Sequence, residues 1–152
     1  LGLLSDAGCP GVADPGAAVV AAAHAARIRV VPLVGPSALL LALMAAGMNG
    51  QRFAFHGYLP VKADARADSI RAIEQRSRAE SRTELFIETP HRNLAMLDAL
   101  SRTLQRSTRV CIAADLTLDS EIIECRSAAL WRREDHARFE RRPAIFLLQA
   151  DR

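Results

Sequence analysis

Ser5-Asp6-Ala7-Gly8-Cys9-Pro10-Gly11-Val12-Ala13-Asp14-Pro15-Gly16 is the stretch on which the reading of this chain turns. It follows an apolar lead-in, Leu1-Gly2-Leu3-Leu4, and precedes a run rich in Ala and Val. That order predicts a strand, a tight glycine turn and a capped helix over residues 14–27. Gly8 and Gly11 allow a sharp turn and let a ligand reach the backbone with no side chain in the way. Asp14 suits the N-cap and Pro15 the first helical position, where a missing N–H costs nothing. In α/β folds, small-molecule ligands bind at the carboxyl ends of strands, over turns of this kind. Glycine and proline content alone favours an ordinary strand-to-helix turn; the full string is more specific.

Outward from this turn the chain alternates. Residues 28–34 read as a buried β-branched strand, and residues 37–46 as a helix with Ser37 at its N-cap and Gly47 just past its end. Met48-Asn49-Gly50 reads as a turn and as the boundary between two α/β lobes, 1–50 and 51–152. Beyond it come a strand over 52–59, a charged amphipathic helix over 64–78 and a strand over 83–88. A helix over 90–104, a strand over 109–114, a strand over 121–125, a short helix over 128–136 and a closing strand over 144–149 complete the series. The fold class is α/β, a layered sheet with helices packed on it.

Composition bounds the function classes. At 152 residues, 50% hydrophobic and 24% charged, the chain has the length for a real core. Its net charge of +3 is mild, and Lys62 is the only lysine. Arg suits phosphates and stacked bases. Cys9, Cys111 and Cys125 are scattered and lack metal-ligand spacing, so no metal is expected and a reduced, cytoplasmic setting is. The apolar residues 30–48 approach the length of a membrane span, but Pro32, Gly35, Pro36 and Ser37 break them, so no membrane anchor is expected.

Ser-Asp-Ala-Gly-x-Pro-x-x-x-Asp-Pro-Gly, as it stands over residues 5–16, resembles a signature of the tetrapyrrole methylase superfamily. Within it, the best match is the branch that methylates a cytidine ribose 2′-hydroxyl in small-subunit ribosomal RNA. Cys9 stands where that branch usually has Thr. The resemblance implies a two-lobed fold, a homodimer and S-adenosylmethionine as cofactor. It covers essentially the whole chain but only about the last two-thirds of the family's length, because the glycine-rich turn and Asp/Thr-Arg segment that open family members are not seen. A missing N-terminal segment is therefore expected.

Further motifs agree with it. Val34-Gly35-Pro36-Ser37-Ala38 resembles the family's Pro-Gly-Pro-Ser/Cys-Ala turn, with Val34 for the first proline. Read on its own it is a glycine turn with a serine N-cap, whose hydroxyl and free N–H groups suit a carboxylate. Phe53 through Pro60 resembles the segment that opens the C-terminal lobe. There His56 reads as a packed or edge histidine rather than a catalyst, while Tyr58 and Pro60 are expected near the mouth between the lobes. The charged residues 62–82 read as a solvated helix face with pairs such as Arg71–Gln75 or Glu74–Arg78. Phe86-Ile87-Glu88-Thr89-Pro90-His91-Arg92 resembles Tyr-Glu-Ser-Pro-His-Arg. Thr89 and Pro90 suit a helix start, and a basic pair in a first turn, where the dipole disfavours cations, points to an anionic partner: Glu88 itself or a phosphate. Asp115-Leu116-Thr117-Leu118 resembles a family Glu-Leu-Thr-Lys in which Leu118 has replaced the lysine. Pro143-Ala144 before an apolar run is closer to the tetrapyrrole-methylating branch, where it borders the adenine.

The resemblance thus implies cofactor contacts at Asp6, Ala7, Gly8, Cys9, Val12, Ser37, Ala38, Glu88, Pro143 and Ala144, and substrate contacts at His91 and Arg92. A ribose hydroxyl is a poor nucleophile and requires a base or a proton path, for which Asp6, Glu88 and His91 are the candidates. The expected function is S-adenosylmethionine-dependent methyl transfer to small-subunit ribosomal RNA. Two alternatives stand beside it. One is methylation of a corrin or porphyrin precursor, favoured by Leu118 and Pro143-Ala144. The other is a non-catalytic binding or dimerisation module or fragment.

Overall fold

The computed structural model describes residues 1–5, 9–133 and 135–151, and the chain divides into two compact units, Leu1–Leu41 and Ala42–Arg152. In the first unit, helix α1 runs Ala17–Ala25 and Gly16 occupies its N-cap at φ 142°, so Asp14 and Pro15 belong to the preceding turn instead. Gly16 is there because a Cβ would lie 2.7 Å from Leu3 Cδ2, in a backbone region that L side chains avoid. The helix ends in a Schellman motif. Ile28 N–H donates to Ala23 O at 2.8 Å and Arg27 N–H to His24 O at 3.0 Å, with Arg27 left-handed at φ 56°.

The strands expected at residues 1–4 and 28–34 do not form. Neither segment has a ladder partner among the described residues, and Leu1, Leu4, Leu33 and Val34 are fully or nearly fully exposed. β-branched composition signals fitness for a half-buried pleated surface, but a strand exists only through the neighbour that takes its N–H and C=O groups. Helix α2 spans Ala38–Ala45, and the Ser37 carbonyl accepts its first bond from Leu41 N–H at 2.9 Å.

The second unit is a five-stranded mixed sheet with helices packed on one face. Its strands are β1 (Phe53–Tyr58), β2 (Thr83–Glu88), β3 (Arg109–Ala114), β4 (Ile122–Ser127) and β5 (Ala144–Gln149), in the order β1-β2-β5-β3-β4. Only β1 and β2 are parallel; every other pairing is antiparallel. Helix α3 (Ala63–Glu80) crosses over between the parallel pair, α4 (Asn93–Thr103) links β2 to β3, and α5 (Ala128–Trp131) follows β4. Gly57, left-handed at φ 64°, forms a bulge between the register pairs Phe55–Leu85 and Tyr58–Ile87.

Alternation sends Phe86, Phe146, Leu148, Val110 and Ile112 to the helix-covered face, where they meet Ile70 and Ile73 of α3 and Met96, Leu97 and Leu100 of α4. Phe86 and Phe146 stack with ring centroids 5.6 Å apart, and Trp131 caps the cluster with its Nε1–H donating to Val110 O at 3.0 Å. Each such fully buried apolar side chain contributes roughly 1.5–3 kcal/mol. Helix α3 departs from the expected solvated face. Glu74 is buried and accepts from Gln105 N–H and Thr108 Oγ1–H, while Arg71 pairs with Asp68. A count of i,i+4 charges misses this because Glu74 lies on the same stripe as Ile70, Ile73 and Ser77.

Asn49 fastens the entry to the sheet. Its Oδ1 accepts from Gln51 and Arg52 N–H, its Nδ2 donates to Ser81 O at 2.6 Å, and its own N–H donates to Gln149 Oε1 at 2.8 Å. One side chain therefore ties the start of β1 to the end of α3, and its backbone reaches the end of β5. Asn49→Ala is expected to cost about 1–3 kcal/mol in urea denaturation. Asn49→Asp, which keeps the Oδ1 acceptor and loses the Nδ2 donor, should recover part of that loss.

Candidate functional site

The candidate site is built by the direction of β5. Because β5 runs antiparallel to both neighbours, its amino end lies at the carboxyl ends of β2 and β3, and Glu88, Ala144 and Ala114 form one row across three strands. Glu88 is the last residue of β2. Its side chain points to the same face as Phe86 and is fully buried.

All of the donors to Glu88 converge on one oxygen. Oε1 accepts from Thr89 N–H at 2.6 Å, Arg92 Nε–H at 3.0 Å and Arg92 Nη2–H at 2.5 Å, with Thr89 Oγ1 at 3.4 Å. Oε2 has no partner. Arg92 is thus turned onto Glu88, and of the two anionic partners that a basic pair at a chain turn suggests, the local carboxylate is the one it meets. His91 on the same turn is exposed. The turn is a short 3-10 helix, Pro90–Arg92, and α4 proper begins at Asn93; Thr89 sits at the N-cap position without a side-chain cap bond.

Asn93 is fully buried and knits this turn to the segment that feeds β5. Its Nδ2 donates to Phe139 O at 2.9 Å and Arg142 O at 2.7 Å, and Arg141 N–H reaches Pro90 O at 3.2 Å. Among the described residues Asn93 Oδ1, like Glu88 Oε2, has no partner. On the other side of β5, Asp115 N–H donates to Pro143 O at 3.0 Å, and Asp115 Oδ2 accepts from Arg142 Nη1–H at 2.8 Å and Ser120 Oγ–H at 2.9 Å. Pro143 and Ala144 are therefore held between Glu88 and Asp115. Leu118, in the turn that follows, is 58% exposed and brings no charge to this end of the sheet.

Within Leu1–Leu41, Cys9 Sγ lies 3.4 Å from Pro36 O, so the structure draws the two glycine turns together. Ser37 is buried, Ala38 half-buried and Val12 exposed. Asp6, Ala7 and Gly8 lie outside the described residues.

The reading of the sequence missed Asn93 and the Asp115–Arg142 pair. The signal for Asn93 was present: residues 93, 96, 97 and 100 form one apolar stripe with a polar residue at its head. A bare buried carboxylate oxygen and a bare buried amide oxygen, one on each side of a single turn, suit a ligand that carries hydrogen-bond donors. Among the described residues no cluster of His, Cys, Asp and Glu could hold a metal ion, and no helix is long and apolar enough to cross a membrane.

The Glu88–Arg92 geometry makes an ordered prediction. Arg92→Ala strands a buried carboxylate and is expected to cost about 2–3 kcal/mol, below the full buried-pair value because Arg92 is 29% exposed. Glu88→Gln leaves a guanidinium that water can reach, and should cost about 1 kcal/mol. Urea denaturation of the two variants checks the order, and a reversal would show that Glu88 is not held as a buried charge.

No protein-family model matches the chain. Curated relatives do. It is 41% identical over 91% of its length to the ribosomal RNA small subunit methyltransferase I of Escherichia coli O157:H7, covering 48% of that protein. It is 44% identical over 75% of its length to the protein of the same name from Xylella fastidiosa, covering 40% of it. The chain thus spans about half the length of the curated relatives it matches. Among solved structures, the methyltransferase CobJ is similar in fold, with a TM-score of 0.58 and 19% identity over 93% of this chain and 61% of that one. Over the length it shares with these relatives, the chain is similar to ribosomal RNA small subunit methyltransferase I, and its fold is similar to that of CobJ.

Proposed function

We propose that this chain serves S-adenosylmethionine-dependent methyl transfer to a ribose 2′-hydroxyl of small-subunit ribosomal RNA. The observation that carries the reading is its 41% identity, over nearly all of its length, to a protein named for methylation of that RNA. The bound cofactor would supply an electrophilic methyl group on a sulfonium. This chain's residues bind and orient. Glu88 Oε2 and Asn93 Oδ1, unpartnered among the described residues, are buried acceptors for ligand N–H or O–H groups, with Pro143 and Ala144 between Glu88 and Asp115. Asp6, Ala7, Gly8, Cys9, Val12, Ser37 and Ala38 supply the other cofactor contacts in this proposal. Exposed His91 is offered to the substrate, with Arg92 fixed beside it by Glu88.

Transfer in line to an oxygen gains most of its rate from positioning and exclusion of water, and the hydroxyl proton must go to a base. Asp6, Glu88 and His91 are the candidates. Glu88 is suited to binding, because Thr89 N–H and Arg92 hold its side chain in place through Oε1. The division at residue 50 into the end of an N-terminal lobe and a C-terminal lobe, a cytoplasmic setting and a homodimer belong to the same proposal. The apolar helix α2, with Leu40 and Met44 exposed, supports the dimer.

A second reading, methylation of a corrin or porphyrin precursor, is favoured by Leu118 in place of a lysine and by Pro143-Ala144. The gene product at the length of its relatives is expected to bind S-adenosylhomocysteine with a Kd on the order of micromolar in calorimetry. This chain alone, spanning half that length, should bind it at least about ten-fold more weakly, since half the contacts and the ordering they provide are lost. Methyl incorporation from radiolabelled S-adenosylmethionine into small ribosomal subunits should exceed that into a corrin precursor. The opposite preference selects the second reading, and no binding of S-adenosylhomocysteine removes both.

A further inference from the structure

Cys111 and Cys125 face each other across the β3–β4 ladder, directly in register. Directly opposed residues of an antiparallel pair have Cα atoms about 4.5–5.5 Å apart, within the roughly 4.4–6.8 Å that a disulfide spans. As directly opposed residues of one ladder, they point their side chains to the same face. The two differ in access: Cys111 is buried, whereas Cys125 is exposed on β4, which ends the sheet. The third cysteine, Cys9, belongs to the other unit.

We propose that Cys111 and Cys125 are a reactive dithiol, a modification site at which a peroxide forms a cross-strand disulfide, with Cys125 the thiol that attacks the peroxide and Cys111 the resolving one. The proposal rests on β3 and β4 alone and is independent of the methyl-transfer reading. Cys125 is the nucleophile because the hydrogen bond from Cys111 and the positive charge of Arg109 stabilise its thiolate against the cost of burial, bringing it down to about 7. Arg109 is on β3 two residues before Cys111, itself held by Gly47 O and Asp151. The shared hydrogen bond and burial push the Cys111 thiol far above its ordinary value, so the buried partner keeps its proton.

In the first step the Cys125 thiolate attacks hydrogen peroxide. An S–O bond forms, the O–O bond breaks, and the leaving hydroxide takes a proton to become water, giving a sulfenic acid. The negative charge that held the Cys111 proton is then gone. The Cys111 sulfur attacks the Cys125 sulfur, the S–S bond forms and the S–O bond breaks, and the leaving hydroxide takes the Cys111 proton as a second water. Two thiols are oxidised, one peroxide is reduced and two waters leave. The product fixes β4 to β3 covalently.

One equivalent of hydrogen peroxide on the whole chain should lower the intact mass by two hydrogens and the titratable thiols from three to one, with peptide mapping joining Cys111 to Cys125. Cys9 should remain open to alkylation. Cys125→Ser changes an exposed side chain and should leave Cys111 unoxidised under the same dose. Cys111→Ala should stop Cys125 at a sulfenic acid that dimedone traps. It should also move the midpoint of the pH profile for iodoacetamide alkylation of Cys125 up from near 7, a readout that does not need the disulfide. Accumulation of sulfenic or sulfinic acid on Cys125 in the unaltered protein with Cys111 still reduced would overturn the proposal. So would a disulfide that joins two chains or engages Cys9.

Discussion

Strand β5 is the interaction on which the second unit depends. It takes a full antiparallel ladder from β2 on one side and from β3 on the other, with Phe146 stacked on Phe86 and Leu147 buried on the opposite face. Without it, the parallel β1–β2 pair and the β3–β4 hairpin would be two unrelated ribbons. The same strand creates the site. Its reversed direction carries its first residue, Ala144, and Pro143 just before it, to the ends of the strands that carry Glu88 and precede Asp115. Candidate site and core therefore share one element, and a change that slips β5 by one residue would exchange its two buried faces and dismantle the candidate site together.

The buried polar groups separate structural work from chemical work. Glu84 is fully buried with both oxygens engaged, Oε1 by Arg82 Nε–H at 2.7 Å and Oε2 by His56 Nε2 at 2.6 Å. The hydrogen bond to Glu84 raises the Arg82 guanidinium above its ordinary value, against the opposing effect of burial, so Arg82 stays charged. Glu88 is equally buried, yet among the described residues one of its oxygens collects every donor and the other collects none. A buried acceptor left bare costs about 1–3 kcal/mol. Among the described residues, Glu88 Oε2 and Asn93 Oδ1 carry that cost without a partner that offsets it.

The sequence carried most of the second unit. The strands Thr83–Glu88, Arg109–Ala114 and Ala144–Gln149 match their expected limits because each is an apolar run closed by turn residues. Residues 28–34 have the same composition and no strand, since pairing is a property of the neighbour and leaves no mark in the segment itself. The expected limits of α1 failed locally, because left-handed Arg27 ends it where no glycine advertises the stop. At the site, Glu88, Pro143 and Ala144 were legible as motif residues. That all of the Glu88 donors would gather on one oxygen, and that Asn93 would tie the Pro90–Arg92 turn to the entry of β5, are facts of tertiary geometry that spacing does not encode.

The bulge at Gly57 bears on what the sheet does in company. β1 ends the sheet, so its outer row of N–H and C=O groups would be a template for an extended chain from another molecule. An extra residue in the middle of a six-residue strand breaks that row into two short runs of different register and twists one away from the other. Any stacking of copies along this edge would have to reproduce the same break in each. A β-branched residue cannot easily take the left-handed backbone of Gly57, so straightening β1 would restore a continuous edge and with it a route to fibrous self-association.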